Sequence, residues 1–163
     1  SPEAVAVRYV KALITDGQKA DSLLAYDSVK ERLSGYDGDE TAFFEKAEET
    51  YDAAIGSWKE YYRVTDEYYK DYYEDLYGEY KETVKAAKTK NVSVKKLVKD
   101  QDYWLSELEE SSGFDRDLIQ EAKEITVKEK IKGEDEINRY TSTVIVVKMN
   151  GKWKVLKYDI EWE

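Results

Sequence analysis

The chain contains no cysteine and no histidine among its 163 residues, and only one proline and one methionine. Without cysteine there is no disulfide, no thiolate nucleophile and no thiolate metal site. Without histidine there is no Ser-His-Asp or Cys-His arrangement, no imidazole base poised near neutral pH and no imidazole metal ligand. No apolar run approaches the roughly 20 residues needed to span a bilayer as a helix. These absences remove the commonest catalytic arrangements. No residue stands out as catalytic, so none is named, and nothing in the residues calls for a cofactor or a metal.

What is present suits one folded unit. Apolar residues make up 41% and aromatics 13% of the chain, enough to build a core. A chain of this length buries roughly 68–70% of the surface it would expose unfolded, which is consistent with a single domain over 1–163. The net charge of −10 is unevenly spread. Residues 1–80 carry nine basic and nineteen acidic side chains, and residues 81–163 carry seventeen of each. An acidic first half repels phosphate backbones, so nucleic acid is not an expected partner. The chain opens on Ser1 without a methionine, as a processed fragment would, with any signal peptide or lipid-attachment cysteine lying upstream.

Alternation dominates the last forty residues, where Asn150-Gly151 interrupts two alternating segments. Both residues tolerate positive φ, as a type I′ hairpin turn requires. The turn predicts strands over 140–149 and 152–162, with Met149 opposite Lys152, Lys148 opposite Trp153, Val146 opposite Val155 and Ile145 opposite Leu156. One face would carry Ile145, Val147, Leu156, Tyr158 and Ile160, and the other Val144, Val146, Trp153 and Val155. Both are apolar near the centre, so each face needs cover. Ile125, Val127 and Ile131 alternate with Thr126, Lys128, Lys130 and Lys132 as a further half-buried strand. The lysine-rich stretch 80–92 reads as a first, exposed strand.

Helical spacing organises the rest. Ser1-Pro2-Glu3 is a capped helix start, with Val5, Tyr9, Val10, Leu13 and Ile14 on one face and Asp16-Gly17 as its end. A second helix is expected over 19–33, burying Leu23, Leu24, Val29 and Leu33. A loop at 35–38 leads to Asp39 as the cap of a helical pattern from Glu40 to about Tyr77, with Gly56 as a weak point or bend and Gly78 as its end. Ser93 caps an inserted helix near 94–111, ended by Ser112-Gly113. The helical part is therefore 1–79 and the sheet part 80–163.

Three stretches resemble a known family. Pro2-Glu3-Ala4-Val5 through Tyr9-Val10-Lys11-Ala12-Leu13, Ile119 through Val127, and Val147-Lys148-Met149-Asn150-Gly151-Lys152-Trp153-Lys154-Val155 are similar to segments of the nuclear transport factor two-like superfamily. Within it, the likeness is to uncharacterised cell-envelope lipoproteins of Gram-positive bacteria. The resemblance implies an α+β fold in which N-terminal helices pack on a curved antiparallel sheet of about four strands, a cystatin-like cone. It also implies an extracellular location tethered to the membrane, and non-catalytic binding of a small molecule, a wall component or a protein. The alternative that the resemblance implies is a cone-fold isomerase or dehydratase using an Asp or Glu base and a Tyr donor.

Eight of the fifteen tyrosines fall between residues 61 and 80. Tyrosine offers a large apolar body with a polar tip. On a helix, Tyr61, Tyr62, Tyr68, Tyr69, Tyr72 and Tyr73 either pack under the sheet with their hydroxyls at the rim or form a platform for a glycan, a wall polymer or a partner helix. Packing is the commoner use of such a stripe, and these six are the candidate ligand contacts. A third use would be an intermolecular bundle of helices 40–79. The acids between them, from Asp66 to Glu79, fall on the solvated side. Asp37-Gly38-Asp39-Glu40 reads as a turn and cap rather than a calcium loop, because alternate ligands over twelve residues are missing. Lys81, Lys85, Lys88, Lys90, Lys95, Lys96 and Lys99 would suit an anionic wall polymer or lipid surface. As charges on an edge strand they would also block edge-to-edge pairing, the reading preferred from sequence.

Overall fold

Five helices precede a four-stranded antiparallel meander in the computed structural model, which describes residues 1–161. The helices are α1 (Pro2–Ala12), α2 (Gly17–Ser22), α3 (Ser28–Ser34), α4 (Glu40–Tyr51) and α5 (Trp58–Tyr77). Strand β1 (Lys81–Val92) is followed by α6 (Val94–Asp100), α7 (Asp102–Ser112) and a 3₁₀ turn, Arg116–Leu118. Strands β2 (Glu121–Lys132), β3 (Ile137–Met149) and β4 (Lys152–Glu161) complete the sheet in the order β1-β2-β3-β4. The expected α+β architecture and strand count hold, and the sheet is open. Trp162, expected within the last strand, lies outside the described residues.

The sheet is covered on both faces. On the inner face α1 crosses all four strands, and Val5, Ala6, Tyr9 and Val10 pack on Val84, Ile125, Val127, Val144, Val146 and Val155. On the outer face, α6 and α7 cover one end. There Leu97, Leu105 and Leu108 meet Ala122, Ile145, Val147 and Leu156. Burying a side chain of this size contributes about 1.5–3 kcal/mol, so these two clusters dominate stability.

Four sequence expectations are corrected. Asp16-Gly17 does not end α1, whose last turn closes on Leu13 in a right-handed conformation. Asp16 instead caps α2, its side chain accepting from the Lys19 amide. The helix expected over 19–33 breaks at Leu23–Ala25. The Ala25 amide donates to the Val155 carbonyl at 2.7 Å, and the Val155 amide to the Leu23 carbonyl at 2.8 Å. These residues leave the helix to cover the free edge of β4, which would otherwise be open to pairing.

The helical pattern from Glu40 to Tyr77 resolves into two helices, parted around the weak point at Gly56. Asp52 turns left-handed (φ 51°) and Ser57 restarts the helix by capping Glu60. Ser57 and Glu60 bond reciprocally, an amide-to-hydroxyl contact of 3.1 Å and a hydroxyl-to-carboxylate contact of 3.3 Å. That capping box stands in the sequence as Ser-Trp-Lys-Glu, hidden inside an unbroken apolar period. The inserted helix divides likewise at Gln101.

The fourth correction concerns register. Met149 pairs with Lys152, Lys148 with Trp153 and Val146 with Val155 as the turn demands, but Ile145 pairs with Lys157. Leu156 is the extra residue of a β-bulge. Beyond it every β4 side chain changes face, and Tyr158 packs with the α1 cluster while Leu156 packs with the α7 cluster.

Candidate functional site

The tyrosines of α5 point to different sides of that one helix. Tyr61 joins a small helical core with Phe43, Phe44, Trp58 and Val64. The Tyr62 hydroxyl donates to Asp21 Oδ2 at 2.6 Å, and Arg32 binds the same carboxylate through both terminal nitrogens at 2.6 and 3.0 Å. Burial and this hydrogen-bonded carboxylate push the Tyr62 phenol up to about 12. Tyr61 and Tyr62 thus tie α5 to α4, α2 and α3. Tyr68, Tyr69 and Tyr72 are exposed, with an exposed Leu76 beside them. Tyr73 turns toward the sheet and stacks on Tyr77, rings 5.9 Å apart and 8° from parallel. The six candidates do not make one platform, and α5 reaches the sheet only at its C-terminal end.

That end is fixed by close approach. The Glu134 amide donates to the Tyr77 carbonyl at 2.8 Å, and a Cβ added to Gly133 would lie 2.4 Å from that oxygen. Asn138 donates to the buried Tyr77 hydroxyl at 2.7 Å, and the Tyr77 and Tyr140 hydroxyls lie 3.4 Å apart. Beside them on the inner face stand Glu82 of β1 and Glu129 of β2, diagonal neighbours because Val84 is the residue opposite Glu129. Glu82 Oε2 is buried without a hydrogen-bond partner. Burial, then the neighbouring Glu129 carboxylate, push the Glu82 carboxyl up to about 9 against a smaller opposing pull from Lys11. Burial and the same glutamates hold Tyr73 and Tyr158 near 12. Sequence reasoning missed this group, because its members lie on five separate elements that only the tertiary packing and strand register bring together. The one available signal was a pair of glutamates at inward positions of otherwise apolar alternation.

Of the helix acids read as solvated, Asp66 departs: its carboxylate accepts the Gly17 amide at 2.9 Å, and burial raises its pKa. Asp39 behaves as the expected cap, accepting from Ala42 at 3.2 Å.

The third feature is the outer face of the sheet beyond α6 and α7, which no helix covers. Register places three rows there: Lys81, Lys132 and Ile137; Thr83, Lys130 and Arg139; Lys85, Lys128, Thr141 and Glu161. The next two rows continue with Lys88, Thr126 and Thr143, then Lys90 and Glu124. Thr83, Lys85, Lys128, Lys130, Arg139 and Thr141, together with Glu129 and Tyr140, line an open depression of about 420 Å³. Asp159 and Glu161 of β4 are the acids nearest its far side. Only half of this surface was visible as a lysine-rich segment; Lys128, Lys130 and Arg139 come from central strands.

No protein family, curated protein or solved structure matches the chain. Among the described residues no helix is long and apolar enough to cross a membrane.

Proposed function

We propose that this chain is a non-catalytic binding domain of the Gram-positive cell envelope. It is built on the nuclear transport factor two-like cone and displayed outside the cell by an anchor preceding it. The envelope setting and the cone rest on the three stretches that resemble that superfamily. The binding role rests on one structural observation: the helices leave half of the outer sheet face bare across three adjacent strands. A sheet face of this size in a stable domain is ordinarily packed or solvated by mixed charges. Here it is a broad, polar and predominantly basic surface suited to a wall component. The domain would hold its ligand on that face while α1 and α5 brace the sheet from behind.

Because the chain has no cysteine, a single introduced thiol can block one face at a time. Thr83→Cys labelled with a bulky maleimide should lose co-sedimentation with purified cell walls, and unlabelled Thr83→Cys should retain it. The same label on Tyr72→Cys, which lies on exposed α5, should have no effect. Wall binding that survives the Thr83 label, or is absent from the unmodified protein, defeats this reading.

One observation favours a second reading, a cone-fold enzyme using a carboxyl base and a tyrosine donor. Glu82 Oε2 is buried and unpartnered beneath a tyrosine cluster. Perturbed carboxyls of this kind gather at active sites, though structural pairs produce them too. An isomerase or dehydratase activity lost in Glu82→Gln, with wall binding unaffected, would establish it.

A further inference from the structure

The lysines of the bare sheet face are set against one another. Lys81 is directly opposite Lys132, Lys85 opposite Lys128, and Lys130 opposite Arg139. Like charges in directly opposed positions destabilise a sheet. Among the described residues none of the six takes part in an ion pair. Edge protection accounts for Lys81 and Lys85, which lie on the outermost strand. It does not account for Lys128, Lys130 and Lys132 on β2 or Arg139 on β3, because both strands are paired on each side. The repulsion is therefore retained at positions where strand protection gives it no use.

We propose that this face binds a linear polyanion, a flexible phosphate-bearing polymer lying along β1 and β2. This rests on the binding-domain reading and names the ligand class of the same face. Alternate residues on one face of a strand stand about 6.7 Å apart and neighbouring strands about 4.8 Å apart. Cations arranged at those intervals match a chain of regularly spaced charges rather than a single anion. The column Lys81, Lys85, Lys88, Lys90 runs toward α6, whose Lys95, Lys96 and Lys99 are exposed. A polymer is thus met by positive charge along the whole length of β1. The acids Glu124, Asp159 and Glu161 bound the track at one end and along β4, confining it to the first three strands.

Two other ligand classes fit less well. A neutral glycan is normally held by stacking on aromatic rings, and the outward rows carry lysine, arginine, threonine, Glu124 and Ile137 without one aromatic; Tyr140, which borders the depression, has its hydroxyl 3.4 Å from that of Tyr77. The same lack removes the stacking platform on which single-stranded nucleic acid binds, worth roughly 1–3 kcal/mol per base. A duplex major groove about 12 Å wide takes a helix or a two-stranded ribbon, not the face of a four-stranded sheet.

The test uses the intact domain with inorganic polyphosphate and with poly(glycerol phosphate), followed by calorimetry and thermal unfolding. Both polymers are expected to bind. If about five phosphates are neutralised, the log–log salt slope should fall near −3 to −4, at about 0.7 per contact on a flexible strand. Lys128→Glu with Lys130→Glu should weaken binding at least tenfold. The same double variant should unfold at a higher temperature without polymer, since each new carboxylate then faces a former like charge. A residue of purely structural value would show the opposite. Failure to bind either polymer while the Thr83 label still blocks wall binding overturns the polyanion and leaves the binding domain standing. Failure of both overturns both. Tighter binding of oligothymidylate than of polyphosphate assigns the face to nucleic acid and defeats the proposal.

Discussion

Tyr158 packs edge-on against Tyr9, ring centroids 5.8 Å apart and planes at 73°. Plain alternation from the Asn150-Gly151 turn would put Tyr158 on the far side of the sheet, away from α1. The extra residue at Leu156 brings it round. Two aromatic rings in this geometry contribute about 0.5–1.5 kcal/mol beyond their buried area.

Tyr158→Ala is accordingly expected to destabilise the domain by about 2 kcal/mol, below the cost at a fully enclosed aromatic because the side chain is only half-buried. Ile160→Ala, at an exposed position, should cost less than about 0.5 kcal/mol. Urea unfolding of the two variants checks the bulge directly. Equal costs would mean that Tyr158 does not reach the α1 core.

Asp21 is the shared partner of Arg32 and Tyr62, and its side chain is 14% exposed. Asp21→Ala leaves a half-buried guanidinium and a buried phenol without their acceptor, and should cost about 3 kcal/mol. Tyr62→Phe removes one hydrogen bond and should cost about 1 kcal/mol. In Asp21→Ala the additional loss on Tyr62→Phe should nearly vanish, a coupling measurable by a double-mutant cycle.

Glu82 makes stability depend on pH in the direction opposite to a salt-bridged acid. Its folded pKa lies near 9, above the ordinary carboxyl value of 4.5. The folded state therefore binds the proton more tightly than the unfolded chain, and stability falls as pH rises between those two values. Glu82→Gln mimics the protonated carboxyl. It should be more stable than the parent at pH 9 by on the order of 1 kcal/mol, because solvent around the half-buried group screens much of the effect. The difference should close below pH 4.5. Thermal unfolding across that range reads it; a constant difference would show that Glu82 is not the group titrating.

Gly133 sits against the last turn of α5. A methyl there would fall 2.4 Å from the Tyr77 carbonyl and 2.6 Å from Tyr77 Cβ, so the helix end and the β2–β3 turn must separate. Gly133→Ala should cost about 3 kcal/mol, at the upper end for overpacking because the obstruction is backbone. Gly35→Ala, with open space around it, should be near neutral. Chemical denaturation compares the pair.

The hairpin, the four strands, the caps at Ser1, Asp39 and Ser93, and the terminator at Gly78 are all readable along the chain, because each depends on residues a few positions apart. The errors have one origin. Leu23–Ala25 and Asp52–Ser57 carry helical apolar spacing, yet the first segment is taken by the edge of β4 and the second by the Ser57–Glu60 box. A period of apolar residues records which side faces inward, not whether the backbone stays continuous. The bulge at Leu156 carries no local mark at all, since Leu156 and Lys157 alternate as any strand residues would.

Local chemistry alone therefore determined that this protein is a helical part followed by an antiparallel meander, acidic in its first half and lacking thiol and imidazole. Only the tertiary structure decided which side chains share a face. Register sets glutamates 47 positions apart beside each other and brings lysines from β1 and β2 into direct opposition. The reason is physical: turn and cap preferences act over one or two peptide units, whereas cross-strand neighbours are chosen by the packing of the whole sheet on α1, α6 and α7.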